Sequence, residues 1–93
     1  MIVGRLEVTV NIPAAQSLKD KRRVIKSLIT RVHNQHNAAV AEVGDNDKWQ
    51  ICRLGAAVVS NRSDHAHSLL SSIVRMIERE SMIVLVDYNI EII

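Results

Sequence analysis

The sequence predicts an α+β fold in the order strand, helix, strand, strand, helix, strand, over one domain spanning residues 1–93. Three observations lead there. Some stretches alternate apolar and polar residues with period two, the mark of half-buried strands. Others repeat their apolar residues every three to four positions, as a helix with one buried stripe does. A cluster of turn formers, Gly44-Asp45-Asn46-Asp47, separates two apolar runs with no helical pattern between them, which makes those runs a hairpin.

The first strand covers residues 2–12. Leu6, Val8, Val10 and Ile12 take one face and Arg5, Glu7, Thr9 and Asn11 the other, until Pro13 removes a ladder donor. Ser17 then serves as a helix N-cap with Asp20 three residues on. Leu18, Val24, Ile25, Leu28, Ile29 and Val32 follow at helical spacing, so this helix should run to about residue 35. Ala38 to Val43 is a short strand. The return strand of the hairpin covers Trp49 to Ser60, with Cys52, Leu54, Ala56 and Val58 on one face. Its other face holds Trp49, Ile51, Arg53, Gly55, Ala57 and Val59. Asn61 to Asp64 caps a second helix whose stripe is Ala66, Leu69, Leu70, Ile73 and Ile77, closed by Glu78-Arg79-Glu80. Met82 to Ile92 is the last strand, with Val84, Val86, Tyr88, Ile90 and Ile92 on one face. This order is the ferredoxin-like β-α-β-β-α-β arrangement, two helices on one face of a four-stranded antiparallel sheet with the first and third strands central.

At 93 residues the chain supports a single core. That core is aliphatic, because there is one Trp, one Tyr and no Phe. Reading bases by stacking needs exposed aromatics, so the composition argues against a single-strand platform. Cys52 is alone, which leaves no disulfide framework and no thiolate metal cluster. The start, Met1-Ile2-Val3-Gly4-Arg5, meets a charge too soon for a signal peptide. No apolar run approaches the roughly 20 residues of a membrane span. A cytoplasmic location is expected, with no membrane contact.

The formal net charge of +2 hides a strong asymmetry. Between Lys19 and Arg31 stand six cations (Lys19, Lys21, Arg22, Arg23, Lys26, Arg31) and one acid, Asp20; the rest of the chain holds six cations and nine acids. Positive charge is thus concentrated on one helix. Wound at 100° per residue, Arg22, His33, Lys26, Lys19 and Arg23 fall within about one third of the circumference, beside the apolar face. Cations at that spacing meet successive phosphates, as in shape-based recognition of structured RNA. A solvated helix surface is the plainer explanation, although such surfaces usually mix signs. Lys21 stands apart. Its angle places it with Val24, Leu28 and Val32 on the side facing the sheet, where it either snorkels along the flank, the simpler outcome, or pairs with a carboxylate such as Glu42.

The third strand is apolar on both faces, a pattern that usually means both are covered. An apolar strip rimmed by Arg5, Glu7, Arg53 and Glu91 suits a self-complementary two-fold contact, so Trp49, Ile51, Arg53 and Val59 are the candidate interface of a homodimer. No catalytic residues are expected. Cys52 sits inward on a central strand, where a thiol is an inert small hydrophobe. No serine lies in a nucleophile elbow, and the three glycines form no phosphate-binding loop. His33 with His36, and His65 with His67, have no third donor at ligand spacing, so neither a metal nor another cofactor is expected.

Several segments together resemble the YlxP-like family of small bacterial proteins. They are Ser17-Leu18-Lys19-Asp20-Lys21-Arg22-Arg23-Val24, Asn37-Ala38-Ala39-Val40-Ala41-Glu42, Trp49-Gln50 with Leu54-Gly55, Val58-Val59-Ser60-Asn61, and Val86-Asp87-Tyr88-Asn89-Ile90-Glu91. The resemblance runs through the whole chain in one register. It implies a ferredoxin-like fold and a family largely of unknown function, whose genes often lie among those for translation initiation and ribosome maturation factors. His36 departs from it, standing where relatives commonly have Phe. The resulting expectation is a non-enzymatic accessory domain that binds structured RNA or a ribosomal subunit through Lys19, Arg22, Arg23 and Lys26, with Arg31 and Lys21 adding field. The rival expectation is a homo-oligomeric protein-interaction module that uses the open sheet face.

Overall fold

The computed structural model describes all 93 residues. Its elements are β1 (Ile2–Asn11), α1 (Leu18–Gln35), β2 (Ala39–Gly44), β3 (Ile51–Ser60), α2 (Ser63–Glu78) and β4 (Val84–Ile92). They form one antiparallel sheet in the order β2-β3-β1-β4, with β1 and β3 central as expected. Both helices lie on one face of it. The inward residues of β1 and β3 (Leu6, Val8, Val10, Cys52, Leu54, Val58) meet Ile25, Leu28 and Val32 of α1 and Leu70, Ile73 and Ile77 of α2 in a single core. Burying aliphatic side chains of this size stabilises the fold by roughly 1.5–3 kcal/mol each before entropy is counted. α2 also buries Val74 and Met76, beyond its expected stripe, because it packs against β1, β3, β4 and α1 at once. Gly4 sits buried below it. A Cβ there would come within 3.0 Å of Leu70 and 3.1 Å of Val58, so the missing side chain lets α2 close onto β1.

Two expectations about strands need correction. β3 opens at Ile51, not Trp49. The side-chain amide of Gln50 donates to the carbonyls of Pro13 and Ala15, both at 3.1 Å, while Ile12 N–H donates to Gln50 O at 2.7 Å. Gln50 thus serves carbonyls left open where Pro13 ends the ladder, and Trp49 stays in the connection at 57% exposure. The second correction is in β4. Thr9 faces Asp87 and Val10 faces Leu85, so Val86 is an extra residue in a β-bulge. The bulge reverses the alternation. Tyr88, Ile90 and Ile92 oppose the inward residues Val8, Leu6 and Gly4, but nearer the strand's start it is Leu85 that packs on the core, and Val84 and Val86 are exposed. No helix is long and apolar enough to cross a membrane.

Candidate nucleic-acid interface

α1 begins where Ser17 Oγ accepts the N–H of Asp20 at 3.1 Å, while the Asp20 carboxylate accepts the N–H of Gln16 at 3.1 Å. That start sets the helix phase. Lys21, Ile25, Leu28 and Val32 turn inward, and Lys19, Arg22, Arg23 and Lys26 turn to solvent, all four exposed. The six cations of this helix divide cleanly. Arg31 is tied to the connection that follows α2 through Glu80 at 2.7 Å, and Lys21 is consumed in the interior. None of Lys19, Arg22, Arg23 and Lys26 lies within ion-pair distance of a carboxylate. Arg22 and Lys26 flank the groove between α1 and β2; Arg23 lines the opposite groove with Ser27, Arg31 and Glu80.

Lys21 does not snorkel. It is fully buried, and its ammonium donates to Asp45 O at 2.8 Å and Ile51 O at 3.1 Å while lying 3.2 Å from Glu42 Oε2. The same carboxylate oxygen accepts from the Cys52 thiol at 2.9 Å. A buried ammonium is tolerated only when its donors are all answered, and three acceptors answer this one. Asp45, whose carbonyl is one of them, holds a left-handed backbone at φ 60°. Lys21 therefore clasps the first turn of α1 to both ends of the β2–β3 connection. Burial, and then the neighbouring Glu42 carboxylate, push the Cys52 thiol well above the usual thiol range, so it stays protonated and unreactive.

The open sheet face is more polar at its centre than the pattern of β3 alone implies. The Arg53 guanidinium bridges to Glu7, Glu7 also meets Arg5 at 3.4 Å, and Arg5 meets Glu91 at 3.2 Å. This chain of alternating charge crosses β3, β1 and β4 and is satisfied within one copy. Of the candidate interface residues, Val59 is exposed at one end of β3, Ile51 is half-buried at the other, and Arg53 belongs to the ion chain between them. Trp49 lies off the strand. A shallow groove of about 500 Å³ runs over Gly55, floored by small residues including Ala39, Ala41 and Ala57. His33 is exposed and His36 half-buried around a polar pocket of about 470 Å³ at the end of α1, where the backbone N–H of His36 caps Val32 O. No group of three His, Cys, Asp or Glu stands where it could hold a metal ion.

A family profile described as "protein of unknown function (DUF503)" matches residues 3–90. The uncharacterized protein YlxP of Bacillus subtilis is 35% identical over 77 residues, which cover 83% of this chain and 84% of that one. Among solved structures, a de novo designed protein with a ferredoxin fold, LFR1 1, superposes with a TM-score of 0.60. It covers 98% of this chain and 86% of its own at 19% identity, a likeness of fold alone.

Proposed function

We propose that this chain, which belongs to the DUF503 family of proteins of unknown function, is a cytoplasmic accessory domain that binds structured RNA, of the ribosomal kind, on the solvent face of α1. The observation behind this reading is the division of charge on that helix. Lys21 and Arg31 are spent on holding the fold, while Lys19, Arg22, Arg23 and Lys26 stand exposed and free of carboxylates. Free cations at helical spacing release counterions from successive phosphates, giving affinity without base readout. The work done is binding, not catalysis. The one thiol is buried beside a carboxylate, and the domain supplies position and charge.

Co-sedimentation with purified ribosomal subunits in a salt series tests this, with wild type beside Arg22→Glu/Arg23→Glu/Lys26→Glu. The expected result is pelleting with one subunit that weakens as salt rises, vanishes in the triple variant and is lost on nuclease treatment. Wild type left in the supernatant at low salt ends the ribosomal reading. Pelleting that survives the triple substitution removes α1 as the contact.

A further inference from the structure

The sheet has two edges, and they are guarded differently. β4 bears Asp87, Asn89 and Glu91 at exposed positions and a bulge at Val86, features that keep an edge strand from pairing further. β2 is bulged as well, at Val43, where its register with β3 shifts, but from Ala39↔Ala57 to Glu42↔Leu54 it pairs in unbroken register and carries no exposed charge. Its only ionisable side chain, Glu42, is turned inward to Lys21 and Cys52. The outer N–H and C=O groups of this stretch are therefore presented between Ala39, Val40 and Ala41 with no outward charge of the strand's own. Beside them, under α1, lies a groove of about 430 Å³ lined by Ile25, Ile29, Arg22, Lys26, Thr30 and Glu42.

We propose that β2 is a dimerisation edge, to which β2 of a second copy of this chain adds antiparallel about a two-fold axis, joining the two sheets into one. An antiparallel pair of identical strands is isologous, so one segment serves both sides. Small apolar residues meet small apolar residues. Glu42, already paired with its own Lys21, brings no uncompensated charge to the junction. The guarded β4 edge stops association at two copies and prevents a fibre. The open face is the poorer candidate, because the ion chain of Arg53, Glu7, Arg5 and Glu91 occupies its middle and is already satisfied. Pairing at β2 also brings the Arg22 and Lys26 flanks of the two α1 helices side by side. Their repulsion is screened by salt, so the dimer tightens as salt rises, whereas RNA binding weakens.

Sedimentation velocity of the full chain, from micromolar to millimolar protein at low and high salt, tests the edge against Ala39→Lys/Ala41→Lys and Val59→Lys. Ala39 and Ala41 are exposed, so lysines there fit the monomer but gather four ammonium groups across the axis. The expected result is a wild-type mass that doubles with concentration, more readily at high salt, a β2 variant that stays monomeric with an unchanged thermal midpoint, and a Val59→Lys protein that still doubles. A wild type monomeric throughout, a dimer abolished only by Val59→Lys, or one that dissociates as salt rises overturns the proposal. Should the β2 variant not fold, hydrogen exchange of the wild type decides. Amides of Ala39–Glu42 must gain protection with concentration, and unchanged protection overturns it. Failure of ribosome binding leaves this edge untouched, so the two readings fall separately.

Discussion

Lys21 Nζ lies 3.2 Å from Glu42 Oε2, with the lysine wholly buried and two backbone carbonyls completing its shell. This pair couples the helix that presents the free cations to the strand that forms the open edge. Removing one partner leaves the other charge desolvated, which is far more costly than losing a surface lysine. Lys21→Ala is expected to cost about 3 kcal/mol or more, and Lys26→Ala no more than about 0.5 kcal/mol. Urea midpoints of the two variants check this, and equal midpoints would show that the pair contributes nothing.

Cys52 gives the fold an alkaline limit. Its folded pKa is raised, by burial first and by Glu42 second. Below the unfolded value of about 8.5 both states hold the proton and nothing is lost. Above it the unfolded chain releases the proton and the folded chain keeps it, so stability falls with pH at up to about 1.4 kcal/mol per unit. Denaturant melts from pH 7 to pH 10 should show that fall in wild type and a shallower one in Cys52→Ala. Parallel slopes would remove the thiol as the cause.

Two glycines make opposite demands. Gly4→Ala places a Cβ within 3.0–3.3 Å of Leu70, Val58 and Ala66, all buried where α2 closes onto the sheet. Gly55→Ala meets only the exposed side chain of Val43 that closely. The first is expected to cost about 1–3 kcal/mol through overpacking and the second clearly less. Thermal midpoints that fall in the reverse order would contradict the packing of α2 on β1.

If α1 meets phosphates, each of Lys19, Arg22, Arg23 and Lys26 that makes a contact adds about 0.7–0.9 to the slope of log affinity against log salt. Single glutamine substitutions should each lower that slope by about 1 and weaken binding evenly across RNA sequences. Arg31→Gln, which breaks the Glu80 pair and not a phosphate contact, should leave the slope alone. Filter binding to subunit RNA measures it; a slope unchanged by all four substitutions excludes a phosphate contact.

The element order, the helix phase and the inward faces of β1 and β3 were legible because each follows from local periodicity. Ser17 and Pro13 marked their boundaries correctly for the same reason. The bulge at Val86 was not legible, since Val84, Val86, Tyr88, Ile90 and Ile92 alternate perfectly in sequence and only the pairing with Thr9 and Val10 shows the extra residue. Trp49 read as strand because nothing local reveals that Gln50 hydrogen-bonds back to Pro13 and Ala15. Lys21 and Glu42 did leave a signal, two opposite charges each at a core position. Choosing between snorkelling and pairing needed the packed geometry.

The sequence by itself determined the α+β class, the concentration of positive charge on the first helix and which residues of β1, α1 and β3 turn toward the core. Periodicity and charge are written along the chain, and burial of one face follows directly from them. Only the tertiary structure decided which cations are free. Lys21 finds its partners 24 and 30 residues away, and Arg31 is claimed by Glu80 from the connection after α2. It also decided that β4 carries exposed charge along its edge while the one carboxylate of β2, Glu42, meets Lys21 on the inner face of the sheet.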